Sequence, residues 1–414
     1  MGLQDIQIDG MRRRIERYIK TDTTYLFSGG FWLGLAKVVS LLVSFAVGVA
    51  FANLLPKELY GNYKYIISLA SIIGTISLSG LGTALTRAAA RGFDGELDRS
   101  YRLSFYSSLV GSFAAIMASA YYFYFDNALL GWSFVIIAIV NPYTNVSSLF
   151  RSYLSGKMQF RAQALGTTLQ NIIPSVLIIA ALFVSHSVIL LVAITLVATA
   201  AVGLVVEWYA RAVYKTNNER DPQAAQLATH TSVLNFMGAF ASKIDAILVF
   251  QNMGGTALAI YAFAAAMPET IRGSLKIITS LAVPKFATMT SDDISKSLVQ
   301  KALPSTVLIA CITILYIVLA PFVFTIFFPK YMDSLLYSQV YALTILFSAP
   351  LITAYFDSQL AIYERYVLGI SGAIGQTILA VGGLYFFGLW GVIASRILYR
   401  IFMIILSVYL IRRR

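Results

Sequence analysis

Apolar runs of about twenty or more residues recur along the chain from Phe27 to Ile411. Each is long enough to cross a hydrocarbon core of roughly 30 Å as a helix rising about 1.5 Å per residue. Twelve such spans are predicted, at 27–53, 64–88, 103–125, 132–152, 165–184, 188–209, 230–252, 257–281, 303–328, 337–359, 367–387 and 389–411. Stretches such as VSLLVSFAVGVAFANLL do not alternate apolar and polar positions, which excludes the strands of a membrane barrel. The pattern predicts an all-α polytopic membrane protein.

The spans divide into two sixes. The longest connection, RAVYKTNNERDPQAAQLATH from Arg211 to His230, falls midway and carries the Asn, Glu, Asp-Pro and Gln content of a solvated linker. The expected organisation is an amphipathic segment at 1–26, an N-lobe at 27–210, a linker at 211–229, a C-lobe at 230–411 and a basic tail at 412–414. FANLLPKELYGNYKYI after the first span aligns with FQNMGGTALAIYAFA after the seventh, matching Phe51, Asn53 and Tyr63 to Phe250, Asn252 and Tyr261. Six spans per half make this a parallel repeat, an arrangement that places a substrate site between the halves. Prolines at 142, 174, 268, 304, 321 and 350 are expected to kink the spans they enter.

Composition agrees: 58% of the 414 residues are hydrophobic and only 12% are charged. Charge adds orientation. Twenty-two Lys and Arg residues fall on the side of the N-terminus, against Lys57, Lys64 and Lys330 on the other, which predicts cytoplasmic termini. The net charge of +12 is therefore a topology signal, spread over short loops, and does not point to nucleic acid. In MRRRIERYIK, residues Met11, Ile15, Tyr18 and Ile19 share one helical face opposite the bases, as in a segment lying along the membrane surface.

Several chemistries are excluded. Cys311 is the only cysteine and sits inside a span, and His186 and His230 are far apart in topology, so no disulfide framework or metal site is expected. There is no GxxxxGK[ST] phosphate loop for nucleotide hydrolysis. Connections on the outer side, such as PKELYGN and FDNALLG, are too short to hold the catalytic acids of a glycosyltransferase or polymerase. Transport is left.

The charges inside the spans carry the functional signal. Lys37, Lys243, Arg272, Lys276, Arg396 and Arg400 lie there, with acids Glu207, Asp245, Glu269 and Asp357 within or bordering spans. A central charge facing lipid costs at least about 2.5–3.5 kcal/mol, so these side chains are expected to face the bundle interior. Glu269, Arg272 and Lys276 fall at i, i+3 and i+7 on one face, as do Arg396 and Arg400 at i and i+4. Lys243 and Asp245 are about 200° apart around the helix and must look to different partners. Two readings follow: the surplus bases receive an anion, or Arg272 pairs with Glu269 and Arg396 neutralises Asp245 or Asp357 to hold helices together.

The stretch AFANLLPKELYGNYKYIISLASIIGTISLSGLGTALTRAAA resembles the N-terminal signature of Wzx-type polysaccharide flippases, in the multidrug/oligosaccharidyl-lipid/polysaccharide (MOP) exporter superfamily. Ala52, Leu55, Tyr60, Gly61, Tyr63, Gly80, Leu81, Ala84, Leu85 and Arg87 carry the resemblance, which extends to KIDAILV, YAFAAAMPETI and GLWGVIASRI. The IYERYV loop is shorter than that pattern. The resemblance implies two pseudo-symmetric six-helix lobes that alternate access and move an isoprenoid diphosphate-linked oligosaccharide between leaflets of the inner membrane. Its implied partners are membrane lipids, a polysaccharide polymerase and glycosyltransferases, with no cofactor beyond a coupling cation, Na+ or H+. Lys37, Lys243, Arg272, Lys276, Arg396 and Arg400 would then contact substrate, while Asp245 and Glu269 would be ion-coupling or structural acids. The alternatives are a cation-coupled multidrug antiporter of the same fold and a scaffold subunit of a polysaccharide-synthesis complex.

Overall fold

The computed structural model describes residues 23–287, 291–358 and 362–413. The apolar runs form α1 (Thr23–Leu54), α2 (Lys57–Thr75), α3 (Leu81–Ala90), α4 (Glu96–Tyr124), α5 (Ala128–Val146), α6 (Leu149–Gly156), α7 (Phe160–Val184) and α8 (Val188–Tyr214). After the linker come α9 (Ala224–Ser274), α10 (Lys276–Ala287), α11 (Ser291–Phe327), a 3-10 turn (Pro329–Ser334), α12 (Leu335–Tyr341), α13 (Leu343–Leu346), α14 (Pro350–Ser358) and α15 (Ile362–Arg413). The surface segment expected at 1–26 lies, up to residue 22, outside the described residues, as does the side chain of Asp357.

Two glycines set the number of crossings. At 51 and 52 residues, α9 and α15 would each run about 77 Å if straight, more than twice the hydrocarbon thickness. Gly254 (φ 81°) breaks the first and Gly388 (φ 56°) the second, in conformations that glycine adopts with least strain. Each is therefore two spans, α9a and α9b, α15a and α15b. Among the described residues eight helices are long and apolar enough to cross, and two of them, α9 and α15, are each divided by one of these breaks. The pair Pro329–Leu346 and Pro350–Phe356, bent by 46°, passes the same test when taken together, and α2 and α3, interrupted at 76–80, occupy the second predicted span.

Within the first half α1 packs on α7, α4 on α5, and α8 on both α5 and α7; in the second, α9 packs on α15, α10 on α14 and α11 on α13. The halves meet where α2 lies along α9. Contact is closest at Gly61 and Gly255, where a Cβ on Gly61 would stand 1.8 Å from the Gly255 carbonyl oxygen. Around this point Tyr60, Phe263 and Tyr331 meet in a buried aromatic cluster of tilted and edge-on rings, with centroids 4.8 Å apart for Tyr60 and Phe263. Lys57 pairs with Asp333 at 2.7 Å, and Lys330 Nζ donates to the Asn53 carbonyl at 2.6 Å. The halves are thus fastened at the face opposite the termini. The matched asparagines of the repeat make equivalent bonds: Asn53 Nδ2 to Val49 O at 2.9 Å and Asn252 Nδ2 to Leu248 O at 2.8 Å.

Most of the connection at 215–223 is exposed, and its start is tied to the N-lobe. Helix α8 runs on to Tyr214, and Thr216 donates from both its amide and its hydroxyl to Asp94, which also meets Lys157 at 2.8 Å. Lys215 reaches Asp98 at 2.5 Å, Asn217 Nδ2 donates to Gly92 O, and Arg91 stands 3.7 Å from buried Asp221. Burial pushes the Asp94 carboxyl up, but the bonds from Lys157 and Thr216 outweigh it and hold the group below its ordinary value. Asp94 and Asp98 of the N-lobe thus hold the start of the linker.

Cys311 is exposed on the outside of α11 rather than packed within the bundle. Cys311→Ser is expected to leave activity and stability unchanged, since it removes no buried contact. A transport assay against the parent at matched membrane abundance checks this.

Candidate functional site

The helix α9b presents Leu258, Tyr261, Ala262, Ala265, Ala266, Glu269 and Arg272 along one stripe, at the three- and four-residue spacings that put side chains on a single face. With small residues at 262, 265 and 266, the stripe becomes the wall of a cavity of about 290 Å³. Facing walls come from Lys64 and Ser68 of α2, from Ser242 to Ala246 of α9a, from Tyr341 of α12, and from Arg396 and Arg400 of α15b. The cavity thus lies between the two halves.

Its deepest feature is an ion pair. Arg396 Nε donates to Asp245 Oδ2 at 2.7 Å and Nη2 to Oδ1 at 2.5 Å, a two-pronged contact. The same Nη2 donates to Ser242 O at 2.7 Å, and the Tyr261 hydroxyl donates to Asp245. Both partners are almost wholly buried. Of the alternatives open for Arg396, the structure places it on Asp245, which it engages through Nε and Nη2.

A second cluster centres on Glu269. It accepts from Arg272 Nε at 2.9 Å and from the Tyr341 hydroxyl at 3.0 Å, and Arg400 stands 3.9 Å away. One carboxylate therefore serves two guanidinium groups. Lys276, expected on the same face, falls beyond the end of the stripe: α9b stops at Ser274 and Lys276 opens α10, lining a neighbouring cavity instead. Lys37 is exposed on α1, apart from the cavity residues. Glu207 pairs with Arg211 one turn on, at 2.9 Å, within the N-lobe.

Lys64 corrects the charge map. Read as an outer-side loop base, it lies seven residues into α2, about 10 Å along the helix, and faces the cavity. Its Nζ sits 5.3 Å from the centre of the Tyr60 ring. Across from it, from the other half, comes Lys243, close enough to feel the Lys64 charge. Among the described residues neither lysine is in an ion pair. Lys64 also borders a larger, mainly apolar cavity of about 670 Å³ between α1, α9b and α11, lined by residues including Leu41, Phe45, Met267, Ile312 and Phe328. Among the described residues no group of His, Cys, Asp and Glu is arranged to hold a metal ion.

A family model described as polysaccharide biosynthesis protein matches residues 26–290. The chain belongs to that family. No curated protein matches it. Solved structures similar to it include the outward-facing conformation of a multidrug resistance MATE family transporter of the MOP superfamily, at 14% identity and a TM-score of 0.66, covering 93% of this chain and 95% of that one. The inward-facing conformation of a multidrug resistance MATE family transporter matches at 13% identity and TM-score 0.66, covering 90% and 95%. A MOP superfamily transporter from Pyrococcus furiosus, described as having a binding pocket of reversed polarity, matches at 13% identity and TM-score 0.62, covering 93% and 95%. At such identities the structures show the fold, that of the MOP exporters. This polysaccharide biosynthesis family member is a multi-pass membrane protein of that fold.

Three residues of the family member's cavity escaped the sequence reading. Lys64 stood next to a predicted boundary, and its i−4 partner Tyr60 is the signal that could have placed it on a helix face. Tyr261 enters the sequence reading only as the repeat partner of Tyr63, and Tyr341 not at all, yet their hydroxyls hold Asp245 and Glu269.

Proposed function

We propose that this protein is a flippase that carries an isoprenoid diphosphate-linked oligosaccharide between membrane leaflets, for surface polysaccharide assembly. The observation that carries the reading is the Lys64–Lys243 pair: two bases, one from each half, facing a shared cavity without a carboxylate of their own. A diphosphate bridging them would join the halves by charge-assisted bonds, with Arg272 and Arg400 beside it. The apolar cavity that also borders Lys64 suits the isoprenoid chain of such an amphiphile. The cation-antiporter alternative is disfavoured because both cavity acids, Asp245 and Glu269, already engage arginines. A scaffold role gives no reason for unpaired bases in a buried cavity.

Losing one charge-assisted bond of about 1.5–3 kcal/mol slows or weakens a step by roughly tenfold or more. Lys64→Gln and Lys243→Gln are each expected to cut translocation by at least that factor at normal protein level, while Lys64→Arg retains part of it. Proteoliposomes loaded with labelled lipid-linked oligosaccharide measure this. A doubly substituted protein that moved the lipid at the parental rate would refute the reading.

The orientation we propose is termini in the cytoplasm, with the inner membrane as location. With Lys64 moved to the cavity, only Lys57 and Lys330 remain on the face opposite the termini, and the bias of bases is steeper than first counted. A reporter fused to the C-terminus is expected to be active only where it folds in the cytoplasm; activity confined to the outside would reverse the topology.

A further inference from the structure

The bent pair in the second half opens a space that the cavities facing Lys64 do not include. Pro350 has no amide hydrogen and disfavours helix at the residue before it, so the chain breaks between α13 and α14 and turns by 46°. The small residues Ser348 and Ala349 at the break fill little of the resulting wedge, and α11 and α15b close it into a cleft of about 480 Å³. Leu346, Ile309, Ile404, Val408 and Ile411 line its walls. Because Ile404 and Ile411 are seven residues apart, the cleft runs about 10 Å along α15b towards the C-terminus, where Arg412 stands at its end. Among the described residues the only charged one lining it is Arg412, which is exposed. The flanks are apolar and exposed, with Leu303 and Val307 on α11 and Ile405 and Tyr409 on α15b. None of the lining residues belongs to the cavity between the halves or to the larger one bordered by Lys64.

We infer that this cleft holds one acyl chain of an anionic glycerophospholipid from the leaflet on the side of the C-terminus, with the phosphate headgroup against Arg412. An apolar space of this kind does not favour water, and with lipid-facing side chains on both flanks the molecules at hand to fill it are those of the bilayer. A chain lying in it gains dispersion contacts that an empty cleft lacks. A polypeptide is the poorer occupant, because its backbone groups would find no partners among these side chains. The polarity of the cleft matches an amphiphile: a base at the membrane surface, then apolar wall running inwards. An arginine at the end of a spanning helix extends its head to the interface, where it meets the negative charge of anionic lipids. Its planar fork also suits two phosphate oxygens at once. In a zwitterionic lipid the headgroup's own ammonium competes for that phosphate, so the anionic class is favoured. A bound chain would brace α14 against α11 and α15b where the backbone is broken. The inference does not depend on what the protein transports.

Native mass spectrometry of the purified full-length protein, titrated with dioleoylphosphatidylglycerol or dioleoylphosphatidylcholine, tests this. The first phosphatidylglycerol is expected to bind about fivefold more tightly than the first phosphatidylcholine. Arg412→Gln should raise the half-saturating concentration of phosphatidylglycerol by about the same factor, with Arg412→Lys, which keeps the charge, between. Arg413→Gln, on the neighbouring residue that does not line the cleft, should leave it at the parental value. Thr306→Trp, at an exposed position on the wall, puts an indole into the space without disturbing the core and should weaken the binding of both lipids. Val408→Trp should do the same from the facing wall. Equal weakening by Arg412→Gln and Arg413→Gln would mean that a basic tail attracts any anionic surface, and the inference would fall. Parental binding of phosphatidylglycerol by the Thr306→Trp protein, or equal binding of the two lipids by the parent, would overturn it as well.

Discussion

Arg396→Gln is expected to destabilise the protein by about 3–5 kcal/mol, because it leaves Asp245 charged and buried with only the Tyr261 hydroxyl against it. Asp245→Asn should cost a similar amount by stranding the arginine. The double substitution Arg396→Gln/Asp245→Asn removes both charges and should recover most of the loss, since the attraction within a buried pair is largely offset by the cost of taking both ions out of water. Thermal unfolding of the single and double variants in one detergent measures the cycle. If Arg396→Gln matched the parent in stability and yet abolished translocation, the arginine would be a substrate contact and the pairing with Asp245 incidental.

Gly61→Ala should have the second largest effect, and in a direction opposite to its local one. In the interior of a helix alanine is favoured over glycine by about 0.5–1 kcal/mol. Here the added methyl carbon meets the Gly255 carbonyl oxygen at 1.8 Å, a contact with backbone that no side-chain rotation relieves. Overpacking of about 1–3 kcal/mol would lower the population fastened at this face roughly fivefold to a hundredfold. The expected result is slowed translocation, together with faster labelling of a reporter at the buried Ser334, Ser334→Cys, by a membrane-impermeant thiol reagent in the Cys311→Ser background. Unchanged labelling and transport would mean that the contact at Gly61 is not part of the cycle.

The spans were legible because a helix in lipid must be apolar over a fixed length whatever it packs against, and the break at Gly254 falls in the predicted connection between 252 and 257. Lys64 was not, because Tyr60, Gly61 and Asn62 look like loop residues until α2 is seen to start at Lys57 directly after Pro56. The pairing of Asp245 with Arg396 joins positions 151 residues apart, and spacing on one helix cannot choose between partners on others. Lys276 shows the reverse failure: helical arithmetic carries the stripe past Leu275, although the helix is interrupted there, just after Gly273 and Ser274. Pro142 and Pro174 sit buried within helices α5 and α7.

The tie between Thr216, Lys215 and the acids of the N-lobe bears on mechanics. Only nine residues, 215–223, separate α8 from α9, and the first three are held against Gly92, Asp94 and Asp98. Little slack is left in the strap that joins the two bodies. A displacement of one against the other would therefore reach the start of α9a, which is tied to the N-lobe again two turns further on, where Ser232 receives the amide of Gly80.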